Sequence, residues 1–360
     1  MTDRPLRVAV AGLGFGEKVH LCALADCPTT EPVALWHPRP ERLEQATRSS
    51  GLPGFSTFDA LLADPAVEAV VIATPPGPRF ALARAALEAG KHLLLEKPVA
   101  LCSDQVEELQ RQALRRGLTV AVDFEYRAVP LFQQLHQQVE QGVLGDPWLV
   151  KLDWLMSSRA DASRPWNWYS QAAEGGGVLG ALGTHAFDML HWLVGPSRSL
   201  RAQLSTAIGS RPLPDGSGSA TVDAEDIALI QMELEAADGR TVPAQVSLAS
   251  VTRQGRGCWI ELYGSAATLM LGSSNQADYV HGFQLWIAPA GEPLRPVTAD
   301  PALAFPRTWE DGRIAPVRRL IEGWAAAIRE GRPMVPGLAE AVASQRCCDR
   351  AREGGGKVAG

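Results

Sequence analysis

The stretch His92 to Leu95, set between Gly90 and Pro98, constrains this chain more than any other. A short apolar run closed by such punctuation reads as a buried strand of a parallel sheet. Glu96 and Lys97 then stand where that strand ends. In open α/β sheets ligands bind just beyond the carboxyl ends of the strands, so a lysine there faces a crevice. Its ammonium can hydrogen-bond a substrate hydroxyl and steady the alkoxide that forms as hydride leaves. Pro98 narrows the conformations open to the residues before it. The plainer alternative is a pair of solvated strand-end charges.

The chain opens on a similar unit. Leu6 to Ala11 is an apolar run followed by Gly12-Leu13-Gly14-Phe15-Gly16, and helical spacing continues from Glu17 to Ala25. Strand, glycine turn and helix together make a dinucleotide fingerprint, because the glycines let a pyrophosphate approach a helix N-terminus. The match is imperfect, since Glu17 stands where the last glycine belongs and that glycine comes one place early. A second strand, Pro32 to Trp36, ends in His37-Pro38-Arg39-Pro40-Glu41-Arg42, with no acid to accept from a ribose 2′-hydroxyl. The expectation is therefore NAD(P), leaning to NADP, with Arg39 and Arg42 on the 2′-phosphate and His37 beside it. Two surface arginines at the start of a helix are the competing explanation.

Ala66 to Ala73 is the next buried strand and leads into Thr74-Pro75-Pro76-Gly77-Pro78, a rigid wall for a cofactor; a helix from Arg79 to Gly90 follows. Another helix, Ser103 to Arg116, precedes Leu118 to Val122. Alternating strands and helices predict a doubly wound parallel sheet, a Rossmann domain over residues 1–123. Gly12, Gly14, Phe15, Gly16, Thr74, Pro75, Glu96 and Lys97 join His37 and the two arginines as its candidate cofactor contacts.

Beyond residue 123 the pattern changes. After a helix from Pro130 to Gly142 come strands of alternating character: 148–155, 199–208, 225–234, 241–251 and 259–271. They predict a large, open, mostly antiparallel sheet with flanking helices in a second domain, residues 124–360, so the class is α/β plus α+β. Residues 209–224 read as a mobile loop, 291–311 as irregular chain, and 315–331 and 337–352 as closing helices before a frayed glycine tail. Trp166, Trp168 and Tyr169 can stack on the C–H groups of a ligand or simply pack. Glycines at 175–177, 180 and 183 permit close approach of a ligand to the backbone ahead of Thr184 and His185. An imidazole there can take a hydroxyl proton, or it can merely cap a helix.

Composition excludes other classes. The 360 residues are 46% hydrophobic with a formal charge of −6, enough for a large core and without the basic block that nucleic acid needs. No apolar run suits a membrane span and no leader is apparent at the start, so a cytoplasmic protein is expected. The six cysteines lack zinc spacing, no metal site is expected, and Cys347-Cys348 reads as core filling.

Several motifs recur in a specific order: Gly12-Leu13-Gly14, Thr74-Pro75, Glu96-Lys97-Pro98, Tyr126-Arg127 with Pro130, Gly142-x-Leu144-Gly145-x-Pro147, and Gly183-x-His185-x-x-Asp188. As a set they resemble the glucose-fructose oxidoreductase, inositol dehydrogenase and rhizopine-catabolism family, shortened to Gfo/Idh/MocA. The resemblance implies hydride transfer between a nicotinamide and a sugar, cyclitol or related polyol or ketone. It also implies Lys97 and His185 as the catalytic pair, a cis Lys97-Pro98 peptide, and a homodimer or homotetramer packed through the C-terminal sheet. Lys97, Tyr126, Arg127, Trp166, Trp168, Thr184 and His185 are the implied or candidate substrate contacts. Two departures stand out: Ala181 replaces an acid four residues before the histidine, and Arg79 replaces the usual histidine after Thr-Pro. Asp123 or Glu125 can restore a carboxylate, or be tied to Arg127. Two other activities fit the same framework: a non-enzymatic dinucleotide-binding sensor or assembly subunit, and an NAD-dependent glycosidase.

Overall fold

The computed structural model describes residues 4–275, 281–354 and 356–357. Part of the glycine tail expected to fray lies outside them. The chain forms two compact units, one from residues 1–128 and 307–342, the other from 129–306 and 343–360.

In the first unit β1 (Leu6–Ala11), β2 (Thr30–Trp36), β3 (Gly54–Phe55), β4 (Ala69–Ile72), β5 (His92–Leu95) and β6 (Val120–Val122) form one sheet in the order 3-2-1-4-5-6. Every pairing is parallel. Period-2 alternation splits β1 between two cores. Ala9 and Ala11 join Leu87, Val106 and Leu109 on one face, while Val8 and Val10 join Leu24, Ile321 and Trp324 on the other. Burial on both faces explains why these strands read as continuous apolar runs. Each fully buried Leu, Ile or Val contributes about 1.5–3 kcal/mol relative to its exposed state. The order reverses between β1 and β4, the crevice where such sheets take their ligands.

Residues 307–342 were expected to belong with the second domain, yet they pack here. The amphipathic helix Ile314–Glu330 buries Ile314, Val317, Leu320, Ile321 and Trp324 against β1 and its neighbours. Val122 N donates to Pro336 O at 3.2 Å. Sequence order hid this, because an apolar helix face does not announce which sheet it will cover.

The second unit holds β7 (Pro147–Leu155), β8 (Ser197–Ser205), the short β9 (Ser210–Pro212) and β10 (Ser219–Thr221), β11 (Ile227–Glu235), β12 (Thr241–Ala249), β13 (Gly257–Gly264), β14 (Ala267–Ser273), β15 (Gln284–Pro289), β16 (Arg295–Val297) and β17 (Gly356–Lys357). Nine of them make one sheet, 16-15-14-13-7-12-11-8-17, antiparallel except where β12 runs parallel to β7. Strict alternation of buried and exposed residues along β11 and β12 marks one covered and one open face. Two expectations are corrected. Residues 259–271 are not one strand but the hairpin of β13 and β14, in register from Cys258 opposite Ser273 to Tyr263 opposite Thr268. Residues 209–224 are not merely a loop, since β9 and β10 pair there around the turn at Asp215. Apolar flanks concealed the first turn, and strands of three residues carry too little periodicity to be read.

Candidate active site

Lys97 follows the carboxyl end of β5, and its position is enforced by a buried arginine. Arg79 is 3% exposed, and its Nη1 donates to Glu96 O at 2.7 Å and to Pro98 O, while Nη2 donates to Thr74 O. One guanidinium thus fixes the main chain on both sides of Lys97 and ties it to the loop after β4. Burial lowers its pKa to about 10, opposed by the Glu96 charge, so it stays cationic at neutral pH. The Lys97-Pro98 peptide is cis.

Behind Lys97 lies a buried carboxyl cluster. His20 Nε2 stands 2.8 Å from Glu96 Oε1 and 3.5 Å from Asp123 Oδ2. Burial pushes Glu96 upward, but the His20 hydrogen bond and charge, the Asp123 bond and the Lys97 charge outweigh it and hold Glu96 at about 2. Burial and then the Glu96 and Glu125 charges push Asp123 well above the ordinary range. The consistent assignment is one proton kept on Asp123 and given to an ionised Glu96, with His20 donating to the same carboxylate. The three side chains have the spacing of a cation site. Within it His20 Nε2 and Glu96 Oε1 are hydrogen-bonded at 2.8 Å. Glu125 is also buried, and burial lifts it to about 7 against the pull of Lys97. His20 was not among the sequence candidates; its signal, one histidine on an apolar helix eight residues after Gly12, is common to ordinary core histidines. Tyr126, 3% exposed, and Arg127 lie in the 3-10 turn Glu125–Ala128 of this unit.

The glycine turn fits a dinucleotide. Gly12 has φ +95°, and a Cβ on it would stand 2.7 Å from the backbone of Ala73 and Thr74. Only glycine tolerates both conditions. At Gly14 a Cβ would meet nothing within 4 Å, leaving the backbone open to a pyrophosphate. Gly16 packs close to Val10 and Ala73, Phe15 lies edge-on to His20, and the buried Thr74 hydroxyl has no partner among the described residues. Pro75 precedes the helix Pro76–Glu88 as its N-cap residue. At the end of β2, His37 Nδ1 accepts from Arg39 N at 3.0 Å, in a cleft that Pro38, Pro40 and Leu43 also line. Arg39 is exposed. Arg42 is committed to the turn itself, with Nη2 donating to Leu13 O at 3.0 Å and lying 3.5 Å from Glu17. The residue that spoils the glycine fingerprint is thus paired with the arginine expected on phosphate.

In the second unit a π-helical turn, Leu179–Gly183, runs into the helix Thr184–Leu193 that carries His185. His185 is 3% exposed, and its ring centroid lies 6.1 Å from that of Trp154 on β7. Asp188, one helical turn on, is buried too. The Thr184 hydroxyl donates back to Gly180 O at 3.1 Å. Trp166 Nε1 donates to Thr221 O at 3.0 Å, and Trp168 sets its ring edge against Tyr169. Two of the glycines ahead of His185 serve the fold: a Cβ on Gly176 would stand 2.6 Å from Trp168 O, and one on Gly177, at φ +84°, 2.8 Å from Glu225 O, so the close approach there is to the chain itself.

Comparison with known proteins places these two units. Residues 6–124 match the family model described as an oxidoreductase family NAD-binding Rossmann fold, and residues 136–354 match that family's C-terminal alpha/beta domain. An uncharacterized oxidoreductase of Synechocystis sp. is 43% identical over 356 residues, covering 98% of this chain and 95% of the relative. Levoglucosan dehydrogenase of Pseudarthrobacter phenanthrenivorans is 32% identical over 226 residues, 60% of this chain and 58% of that enzyme. A solved levoglucosan dehydrogenase in complex with NADH and L-sorbose superposes with a TM-score of 0.86 at 25% identity, covering 99% of each chain. The chain belongs to the Gfo/Idh/MocA family of oxidoreductases, with its NAD-binding Rossmann fold and its C-terminal alpha/beta domain.

Proposed function

We propose that this oxidoreductase is an NAD(P)-dependent dehydrogenase or reductase acting on a secondary alcohol, or its ketone, of a sugar, cyclitol or similar polyol. The observation that carries the reading is Lys97 at the end of β5, its flanking carbonyls clamped by Arg79 and its charge faced by Glu96, Asp123 and Glu125. The dinucleotide, held by Gly12, Gly14, Phe15, Gly16, Thr74 and Pro75, supplies the hydride acceptor or donor when bound. Lys97 hydrogen-bonds the reacting oxygen and stabilises negative charge on it. His185 exchanges the hydroxyl proton, a task suited to an imidazole. Tyr126, Arg127, Trp166, Trp168 and Thr184 complete the proposed substrate contacts. A preference for NADP, with Arg39 on the 2′-phosphate, is supported by the absence of an acid at the end of β2 and by the exposure of Arg39.

Assembly as a homodimer or homotetramer through the open sheet face is part of the same reading. It is supported by Leu229, half exposed, and by Trp259 stacked on Trp286 with centroids 5.4 Å apart, both at open-face positions. A cytoplasmic location is supported by Cys258, Cys347 and Cys348, which are buried as free thiols.

The test is a polyol and ketose screen with each nicotinamide, repeated with Lys97→Met and His185→Asn. The reading expects turnover in the wild type and a fall in kcat of about 10²-fold or more in each variant, with nucleotide affinity retained. Nucleotide binding without turnover of any compound would instead favour a sensor.

A further inference from the structure

Residues 156–164 leave the end of β7 and are held by arginines. Arg211, 4% exposed, donates from Nη1 to Asp161 O at 2.7 Å and from Nη2 to Arg159 O at 2.6 Å. Arg253 donates to Ala160 O at 3.1 Å, and Arg164 to Ser158 O. The Arg159 amide donates to Ser250 O at 2.7 Å. Three guanidinium groups are thus spent on main-chain carbonyls, and the segment is rigid.

Arg159 is different. Its guanidinium carbon lies 4.1 Å from the centroid of the Tyr169 ring, and no acceptor or carboxylate among the described residues pairs with its five N–H donors. The side chain is only partly exposed, and burial, with the like charges of Arg164 and Arg211, works against its cation. The neighbouring acids are engaged elsewhere. Asp161 Oδ1 accepts from Ser163, Asp226 accepts from the amides of Ala207 and Ile208, and Glu225 Oε1 accepts from Leu179 N at 3.0 Å. A half-buried guanidinium on a rigid segment, surrounded by other cations and without an acid, lacks the partner such a group ordinarily has.

Its place in the fold says what that partner is for. Arg159 comes five residues after Trp154, whose ring lies beside His185. The acceptor Ser250 follows β12 closely after Leu248, whose side chain approaches Gly183 in the turn that leads to His185. Arg159 and His185 therefore belong to the same end of one sheet, within one unit. We propose that Arg159, stacked on Tyr169, binds an anionic group of the substrate, a carboxylate or a phosphate, so that the enzyme acts on acidic rather than neutral sugars or polyols. This rests on the dehydrogenase reading above and narrows its substrate class.

The test uses three probes that share a ring: D-glucose, D-glucuronate and D-glucose 6-phosphate, each titrated calorimetrically into the full-length protein and its Arg159→Gln and Arg159→Lys variants. At least one anion is expected to bind about tenfold or more tightly than D-glucose, with the stronger of the two distinguishing carboxylate from phosphate. Arg159→Gln should erase that preference and leave D-glucose within about twofold, while Arg159→Lys keeps part of it. Equal binding of all three, no binding of either anion, or an unchanged preference in Arg159→Gln overturns the inference. Turnover with each nicotinamide is measured on the same samples. An anion held through Arg159 but never oxidised overturns the dehydrogenase reading alone, whereas oxidation indifferent to charge and to Arg159 overturns the anion site alone.

Discussion

Arg79 holds Lys97 through the main chain, by donating to Glu96 O at 2.7 Å and to Pro98 O, the carbonyls on either side of it. A third bond to Thr74 O joins the loops that follow β4 and β5. At this position the chain has a residue with enough donors to bridge both strand ends.

Arg79→Ala should therefore strand three buried carbonyls and lower stability by about 3 kcal/mol or more, read from urea unfolding. Arg79→Lys, which keeps the charge but not the fork, should recover only part of it. An Arg79→Ala protein with an unchanged unfolding midpoint would show that the clamp is not holding the loops.

Asp123 supplies a prediction with a definite sign. Its folded pKa lies well above the ordinary 3.8, so its stabilising contribution is complete at low pH and is lost as pH rises through the raised value. Glu96 works oppositely, losing its contribution as pH falls from 4.5 toward about 2. Asp123→Asn keeps a donor to Glu96 and cannot ionise. Its unfolding midpoint should fall less than that of the wild type as pH rises above the ordinary 3.8. Parallel curves would contradict the shared proton.

Glu125 titrates at about 7 and faces Lys97. If it modulates Lys97, the pH profile of kcat/KM should bend near neutrality in the wild type, and Glu125→Gln should remove that inflection while leaving turnover measurable. Persistence of the inflection would assign it to another group.

Arg39→Ala checks the cofactor. Calorimetric titration should find NADPH bound more tightly than NADH by the wild type, and the variant should lose most of that difference. Arg42→Ala should weaken both nucleotides together, because Arg42 braces Leu13 in the glycine turn.

Much of this was readable along the chain. A parallel sheet flanked by helices on both faces leaves continuous apolar strands between punctuated helices, and a half-open sheet leaves alternation, so both architectures are written in local periodicity. Gly12, Lys97 and His185 were likewise visible, because a turn, a strand end and a helix start are local events. The hairpin within 259–271 and the strand pair within 209–224 escaped because their turns carry weak local signals.

What only the tertiary structure decided is who meets whom. That His20 meets Glu96 across 76 positions, that burial and then the neighbouring Glu96 charge raise the proton affinity of Asp123, and that Arg42 is spent on the glycine turn all depend on distances between residues far apart in sequence. The helix Ile314–Glu330 carries its apolar stripe in sequence, but only packing decides that β1 and Trp324 share a core. Arg159 looked like any arginine until its neighbours proved to be committed elsewhere. Local patterns set the backbone, because propensity and period act over a few residues, whereas proton affinities and ion pairing follow from burial, which exists only once the chain has folded.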